Sequence, residues 1–220
     1  MPGKNVRELG GVTLLDIAIR KAIDARHVDA VVVNTDIDIS NIQTAYAVRP
    51  QKMILWQPRS PEYAGSRVSK WPVYRESLLA FEQVTDTEVH AVVDIDVSRP
   101  LTVPKDIDDT LEAWLRSSAG VMLAVGHAKK SPYFDIYEYD MAGNLQPSKY
   151  QAGLTARQDG PPVWYHGGIL VVDRNTVLGT TDMWDVPVDG CEIPENRCHD
   201  VDTLTDWLLI EALYADGVCA

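Results

Sequence analysis

The sequence predicts an α/β protein, with helices covering both faces of a mostly parallel sheet in one domain, residues 1–220. Three observations predict it. Short β-branched apolar runs alternate with longer segments of helical apolar spacing. Two of those runs end in acids, as strands do when they carry a ligand site at their carboxyl ends. The chain has 220 residues, enough for one such domain with a sizeable core.

The elements follow in order. Residues 13–23 have helical apolar spacing, and 29–36 form a β-branched run ending in polar residues, which predicts a helix followed by a buried parallel-type strand. Residues 52–56 are a second strand, 73–84 a helix and 89–96 a third strand, again ending in acids. Residues 104–115 are a helix with Pro104 and several acids in its first turn, where the missing N–H and the helix dipole favour them. Residues 120–126 are a fourth strand. From about 131 to 165 the pattern changes to a hairpin and a polar loop, an insertion or arm. Residues 167–173 return to strand, and 203–214 are a closing amphipathic helix.

Composition narrows the function. Hydrophobic residues are 45% and charged residues 24%, average for a globular protein. No apolar run approaches 18 residues and the N-terminus has no signal-peptide pattern, so no membrane span is predicted and the default location is cytoplasmic. A net charge of −12 argues against broad nucleic-acid binding. It leaves room for an anionic small substrate held by a few cations, the candidates being Lys4, Arg7, Arg59, Arg67, Lys70, Arg99 and Arg157. Cys191, Cys198 and Cys219 are too few and too widely spaced for a disulfide framework. Cys191, Cys198 and His199 lack the fourth ligand and the spacing of a zinc site, so ordinary reduced cysteines are favoured.

Pro2, Gly3, Lys4 and Asn5 read as an anion-binding loop, because Gly permits close backbone approach and Lys is a point-charge phosphate binder. By themselves they read better as an exposed terminal loop. Neither a Walker A loop nor GxGxxG occurs. The Asp-x-Asp triplets are Asp36/Asp38, Asp94/Asp96, Asp106/Asp108 and Asp200/Asp202. On a strand such a pair shares one face and suits a hard cation. Asp106/Asp108 is better read as helix-start chemistry, Asp94 as an in-strand structural residue and Asp96 as facing the cleft. Capping by Asp202 or Thr203 competes with metal binding at the last pair. His127, His166 and His199 stand near no GxSxG pattern. His90, in an apolar run, is expected to be a satisfied core residue.

Taken in order, these segments resemble the acylneuraminate cytidylyltransferase family, the CMP-sialic acid synthetases and their relatives. PGKNVRELGG (2–11) is similar to the family's P-x-K-N-x-R-x-L-G-G segment, and VVVNTD (31–36) to its V-V-S-T-D strand end. RSPEYAGSRVS (59–69) resembles the R-P-x-E-L-A-x-D-T-A-S loop, and DVSRPLT (96–102) stands where the family has Q/D-x-T-S-P-L-R. SPYF (131–134) and ARQDGPP (156–162) resemble arm segments, and CHDVDTLTD (198–206) resembles the D-I-D-T-x-x-D signature. The matches keep their order over essentially the whole chain.

The resemblance implies a three-layer Rossmann-like nucleotide-diphospho-sugar transferase fold, with a mostly parallel mixed sheet and a dimerisation arm. It implies transfer of CMP from CTP to an acidic 2-keto sugar with Mg²⁺ as cofactor, in a homodimer. Lys4 is then a phosphate contact, and Asn5, Arg59 and Ser69 belong to the nucleotide site. Asp200 and Asp202 are the metal ligands, with Lys4 and Asp202 the catalytic pair. Asp96 stands where the family meets its sugar or a second metal, Arg157 faces the sugar acid, and His166 lines the sugar pocket. Ser66 and Arg67, Lys70, Arg99, Thr102 and His166 depart from the family pattern and add positive charge on the sugar side. This implies an acceptor other than N-acetylneuraminate, such as another nonulosonate, a shorter keto-sugar acid or a phosphonate. Family members also begin with a buried strand and an A-R-x-x-S-K-G loop that has no counterpart in this sequence. One expectation is a start internal to a protein longer by roughly 15–20 residues, a strand and its loop. The other is a truncated relative that binds nucleotide without turnover.

Overall fold

The computed structural model describes residues 3–46, 52–65 and 68–219. Pro2 of the terminal loop and the Ser66 and Arg67 departures lie outside the described residues. A two-residue ladder, β1 (Glu8–Leu9) with β2 (Val12–Thr13), leads into α1 (Leu14–Asp24). Thr13 caps this helix, its hydroxyl accepting from Asp16 N at 3.1 Å. Then follow β3 (Ala30–Thr35), α2 (Ser40–Tyr46), β4 (Met53–Pro58), α3 (Trp71–Thr85), β5 (Ala91–Ile95), α4 (Pro104–Arg116) and β6 (Val121–His127). The arm carries a hairpin, β7 (Tyr137–Tyr139) with β8 (Leu145–Pro147). The chain closes with β9 (Trp164–Asp173), α5 (Arg174–Gly179), β10 (Val188–Glu192) and α6 (Leu204–Ala215).

The sheet is mixed. Its larger part has the order β10-β6-β9-β5, in which β10 runs parallel to β6 and β9 runs antiparallel to both of its neighbours. The β3 and β4 strands pair in parallel as a separate two-stranded part. Alternation along β9 builds two cores from one strand. Ile169 and Val171 join Ile107 and Leu111 of α4, while Leu170 and Val172 join Trp71 and Leu78 of α3. Helix α1 is buried on two sides. Leu14 and Ile17 pack with Leu101, Val201 and Trp207, and Leu15, Ile19 and Ile23 pack against Val31 and Val33 of β3.

Several expectations need correction. His90 is exposed just before β5, and its carbonyl accepts from Arg174 N at 3.0 Å. The apolar run that suggested a buried histidine begins one residue later. Helix α6 is not cleanly amphipathic, because Leu204, Leu208 and Leu209 are exposed while Trp207 and Ile210 are buried. Sequence reading also missed α2, α5 and β10. The first two are short, and β10 (VDGCE) has no apolar alternation because it is an edge strand paired only with β6. Asp106 is a capping residue as expected. Its Oδ2 accepts from Val103 N at 2.8 Å while its Oδ1 pairs with Arg197 at 3.0 Å.

Candidate active site

The terminal segment is seated against α6. Gly3 adopts the left-handed region, φ 67°, and opens a 3-10 turn over Lys4–Val6. Arg7 lies 4.1 Å over the Trp207 ring, tying the turn to α6. Lys4 is thereby held against the stretch that precedes α6. Its Nζ donates to Val201 O at 2.7 Å and to Asp202 Oδ1 at 2.9 Å, and lies 3.9 Å from Asp200 Oδ1. Asp200 and Asp202 flank the fully buried Val201, whose N–H donates to Ser98 O at 2.9 Å. One anchored apolar residue thus turns two acids toward one ammonium. Thr203, not Asp202, caps α6, in a reciprocal arrangement with Asp206. Asn5 is exposed on the same turn as Lys4.

A second group forms at the tip of β5. Asp96 follows the strand, and its N–H donates to Gly168 O at 2.8 Å, which brings β9 residues 166–168 alongside. Asp96 Oδ1 accepts from both the N–H and the hydroxyl of Ser98. Burial opposes ionisation of Asp96, but Lys70, Ser98 and Arg99 outweigh it, so its pKa lies below the ordinary carboxylate value. His166 is half-buried, and its Nε2 is buried without a hydrogen-bond partner among the described residues. Desolvation and then the Arg99 charge lower its pKa, which favours the neutral imidazole. Asp94 is claimed by a pair that the sequence did not reveal: Lys70 Nζ at 2.9 Å and Tyr74 OH at 2.8 Å, both on Asp94 Oδ2. Lys70 and Tyr74 stand four residues apart at the start of α3 and so share a face. This spacing was the available signal.

Arg99 joins the two groups. Its side chain lies over Gly168, where φ is +92° and a Cβ would overlap it. Its Nη1 donates to Cys198 O, and its Nη2 is 3.3 Å from Asp200 Oδ2. The structure therefore brings Lys4, Asp200, Asp202, Arg99, Asp96 and His166 into one continuous cluster. Arg59 stands at the tip of β4. Its Nε donates to Asn34 Oδ1 at 3.0 Å and its Nη2 to Asn34 O at 2.8 Å, and its charge reaches Lys70. Ser69 is exposed before α3, its hydroxyl accepting from Trp71 N at 3.2 Å. Arg157 is not drawn into the cluster by any hydrogen bond. It is exposed in the arm and pairs with Asp135 at 2.5 Å.

Magnesium, which the resemblance implies, can be tested against these residues. Among the described residues no three His, Cys, Asp or Glu side chains are grouped to hold a metal ion. Asp200 and Asp202 do offer hard oxygens at one place, already bridged by a cation, and Asp200 Oδ1 is buried and accepts no hydrogen bond from the described residues. Magnesium typically takes one or two carboxylates and completes its shell with phosphates and water. The pair fits that role.

Comparisons with known proteins agree with this architecture. A solved CMP:2-keto-3-deoxy-manno-octonic acid synthetase complexed with CTP superposes with a TM-score of 0.66 at 14% identity, covering 98% of this chain and 93% of that one. A 4-diphosphocytidyl-2C-methyl-D-erythritol synthase from Anaerococcus prevotii superposes with a TM-score of 0.66 at 16% identity, covering 96% and 93%. The chain therefore shares the fold of these two enzymes. Residues 1–56 match the family model described as Cytidylyltransferase. Over 217 residues, 96% of the chain, it is 23% identical to N-acylneuraminate cytidylyltransferase B of Danio rerio, and it spans 47% of that protein. By sequence the chain is thus similar to an N-acylneuraminate cytidylyltransferase, and it spans about half the length of that protein. No helix among the described residues is long and apolar enough to cross a membrane.

Proposed function

We propose that this chain transfers CMP from CTP to an acidic 2-keto sugar and releases pyrophosphate. One observation carries the reading. Lys4, from a segment matching the cytidylyltransferase model, meets the Asp200/Asp202 pair from the other end of the chain, 2.9 Å from Asp202. The hydroxyl of the acceptor attacks the α-phosphate in line and gives up its proton to water, and the P–O bond to the leaving pyrophosphate breaks. Such a step depends on positioning and charge stabilisation. Lys4 and Arg99 supply fixed positive charge for phosphate oxygens, and Arg59 and Asn5 hold the nucleotide. Asp96, at the tip of β5, orients the acceptor, and neutral His166 offers a hydrogen bond to a sugar hydroxyl. Asp200 and Asp202 would hold Mg²⁺, which supplies charge neutralisation at the phosphates when bound. The acceptor's acid group is met by Lys70 and, from the arm, Arg157, and a guanidinium suits a carboxylate or a phosphonate alike. The arm exposes Ile136, Tyr137, Tyr139, Leu145 and Tyr150. This apolar face supports a homodimer in which the arm of one copy covers the site of the other.

The competing reading is a relative that binds CTP without turnover. It is favoured by the ion pairing that already neutralises both acids of the pair. The experiment is pyrophosphate release from CTP and Mg²⁺ with a panel of 2-keto sugar acids and phosphonates, beside thermal shifts with CTP, UTP, GTP and ATP. Release with at least one acid, and a shift largest for CTP, is the expected result. A CTP shift without release from any acid would favour the binding-only reading. A larger shift with another nucleotide would refute cytidylyl transfer.

A further inference from the structure

We propose that Arg99 is a built-in counter-cation that withholds Asp200 from a free divalent cation, so that metal enters only together with an anionic nucleotide. This rests on the reading of Asp200 and Asp202 as the metal-binding pair.

Arg99 is locked from several directions. Its N–H donates to Asp96 O at 3.1 Å, and its carbonyl accepts from Thr102 Oγ1 at 3.1 Å and from Lys21 Nζ at 3.2 Å. The stem is pressed onto Gly168, where the absence of a Cβ makes the space, and one guanidinium nitrogen is tied to Cys198 O. Of the rest of the fork, Nη2 lies 3.3 Å from Asp200 Oδ2 while Nε is buried without a hydrogen-bond partner among the described residues, and the side chain is only 13% exposed. Arginine keeps its charge at any ordinary pH and presents a rigid fork, so this contact does not loosen by deprotonation. Lys4 takes the other side, bridging Asp202 and Asp200. Two carboxylates are therefore matched by two fixed cations. A divalent ion arriving alone must shed water beside two positive charges for oxygens that are already satisfied in charge, and magnesium dehydrates reluctantly. A triphosphate reverses the balance. Its oxygens take up Lys4 and Arg99 and complete the metal's shell.

The probe is Mn²⁺ titrated into the full chain without nucleotide, with free Mn²⁺ read by electron paramagnetic resonance. The wild type should bind weakly. Arg99→Gln keeps a donor for Cys198 O and removes the charge, and it should tighten Mn²⁺ at least about tenfold, equivalent to ~1.4 kcal/mol. Adding Asp200→Asn should abolish that gain. With CTP present, the wild type should take up Mn²⁺ together with the nucleotide. Thermal melting reports whether Arg99→Gln folds. If it does not, Lys4→Met removes the other cation from the accessible side and should tighten Mn²⁺ to a smaller degree. Equal Mn²⁺ affinity in the nucleotide-free wild type and the folded charge-removed variant overturns the proposal, whether both bind or neither does. The two readings fail separately. Pyrophosphate release with no Mn²⁺ gain sinks only the counter-cation, and an Mn²⁺ gain without release from any acid sinks only the transferase reading.

Discussion

Lys21 is the sharpest test of how this fold is balanced. It sits inside α1, 7% exposed, with Nζ donating to Arg99 O at 3.2 Å and to Thr102 Oγ1 at 3.1 Å. Burial dominates its environment and drives its pKa from 10.5 down to about 7, although Cys219 and Asp106 act in the opposite direction. The unfolded chain then binds a proton between pH 7 and pH 10.5 that the folded chain has released. Where the unfolded state binds more protons, stability rises with pH. The cost of charging Lys21 is therefore fully present below pH 7 and fades toward pH 10.5. With these two pKa values the linkage relation makes the native protein more stable at pH 9 than at pH 7 by ~2 kcal/mol through this group alone. Lys21→Met removes the titration. It also removes two hydrogen bonds, at a cost of roughly 1–2 kcal/mol, but Arg99 O keeps its bond from the Thr102 hydroxyl. The assay is urea unfolding of both proteins at pH 7 and pH 9. The stability of the variant relative to wild type should be more favourable at pH 7 than at pH 9 by ~2 kcal/mol. Taking the double difference cancels every other titrating group shared by the two proteins. A difference independent of pH, or one that moves in favour of the variant at pH 9, would refute the reasoning.

Two further outcomes follow from the geometry. Asp106→Ala should cost ~3 kcal/mol in urea unfolding, because it strands the partly buried Arg197 and uncaps α4 at Val103 N. Near-native stability would show that Arg197 finds another partner. Gly168→Ala should cost ~1–2 kcal/mol for its positive φ and must push Arg99 off its seat, so CTP-dependent stabilisation in a thermal melt should fall with it. Unchanged CTP stabilisation would mean that Arg99 does not contact the nucleotide.

Much of the fold was legible because its signals are local. The runs at 30–35, 91–95 and 121–127 are β-branched, short and apolar, and each is a strand. Pro104 and Asp106 mark the start of α4 through chemistry that acts within one turn. His90 misled because the apolar character beside it belongs to β5, which starts after it. The direction of β9 was hidden. An apolar run carries no sign of whether its neighbours run with it or against it, and only the ladder with β5 and β6 makes it antiparallel.

The site divides in the same way. The ordered motifs singled out Lys4, Asp96, His166, Asp200 and Asp202, and the structure gathers them around Arg99. Their residue types and their order along the chain, together with the net charge of −12, were determined by the sequence alone. Which acid meets which cation was decided only by the tertiary structure. The Arg99–Asp200 and Lys70–Asp94 pairs span loops and strands whose relative placement is set by the packing of β5 on β9 and by the space over Gly168. Coulomb attraction between charges depends on distance in space, and separation along the chain says little about that distance until the core has closed.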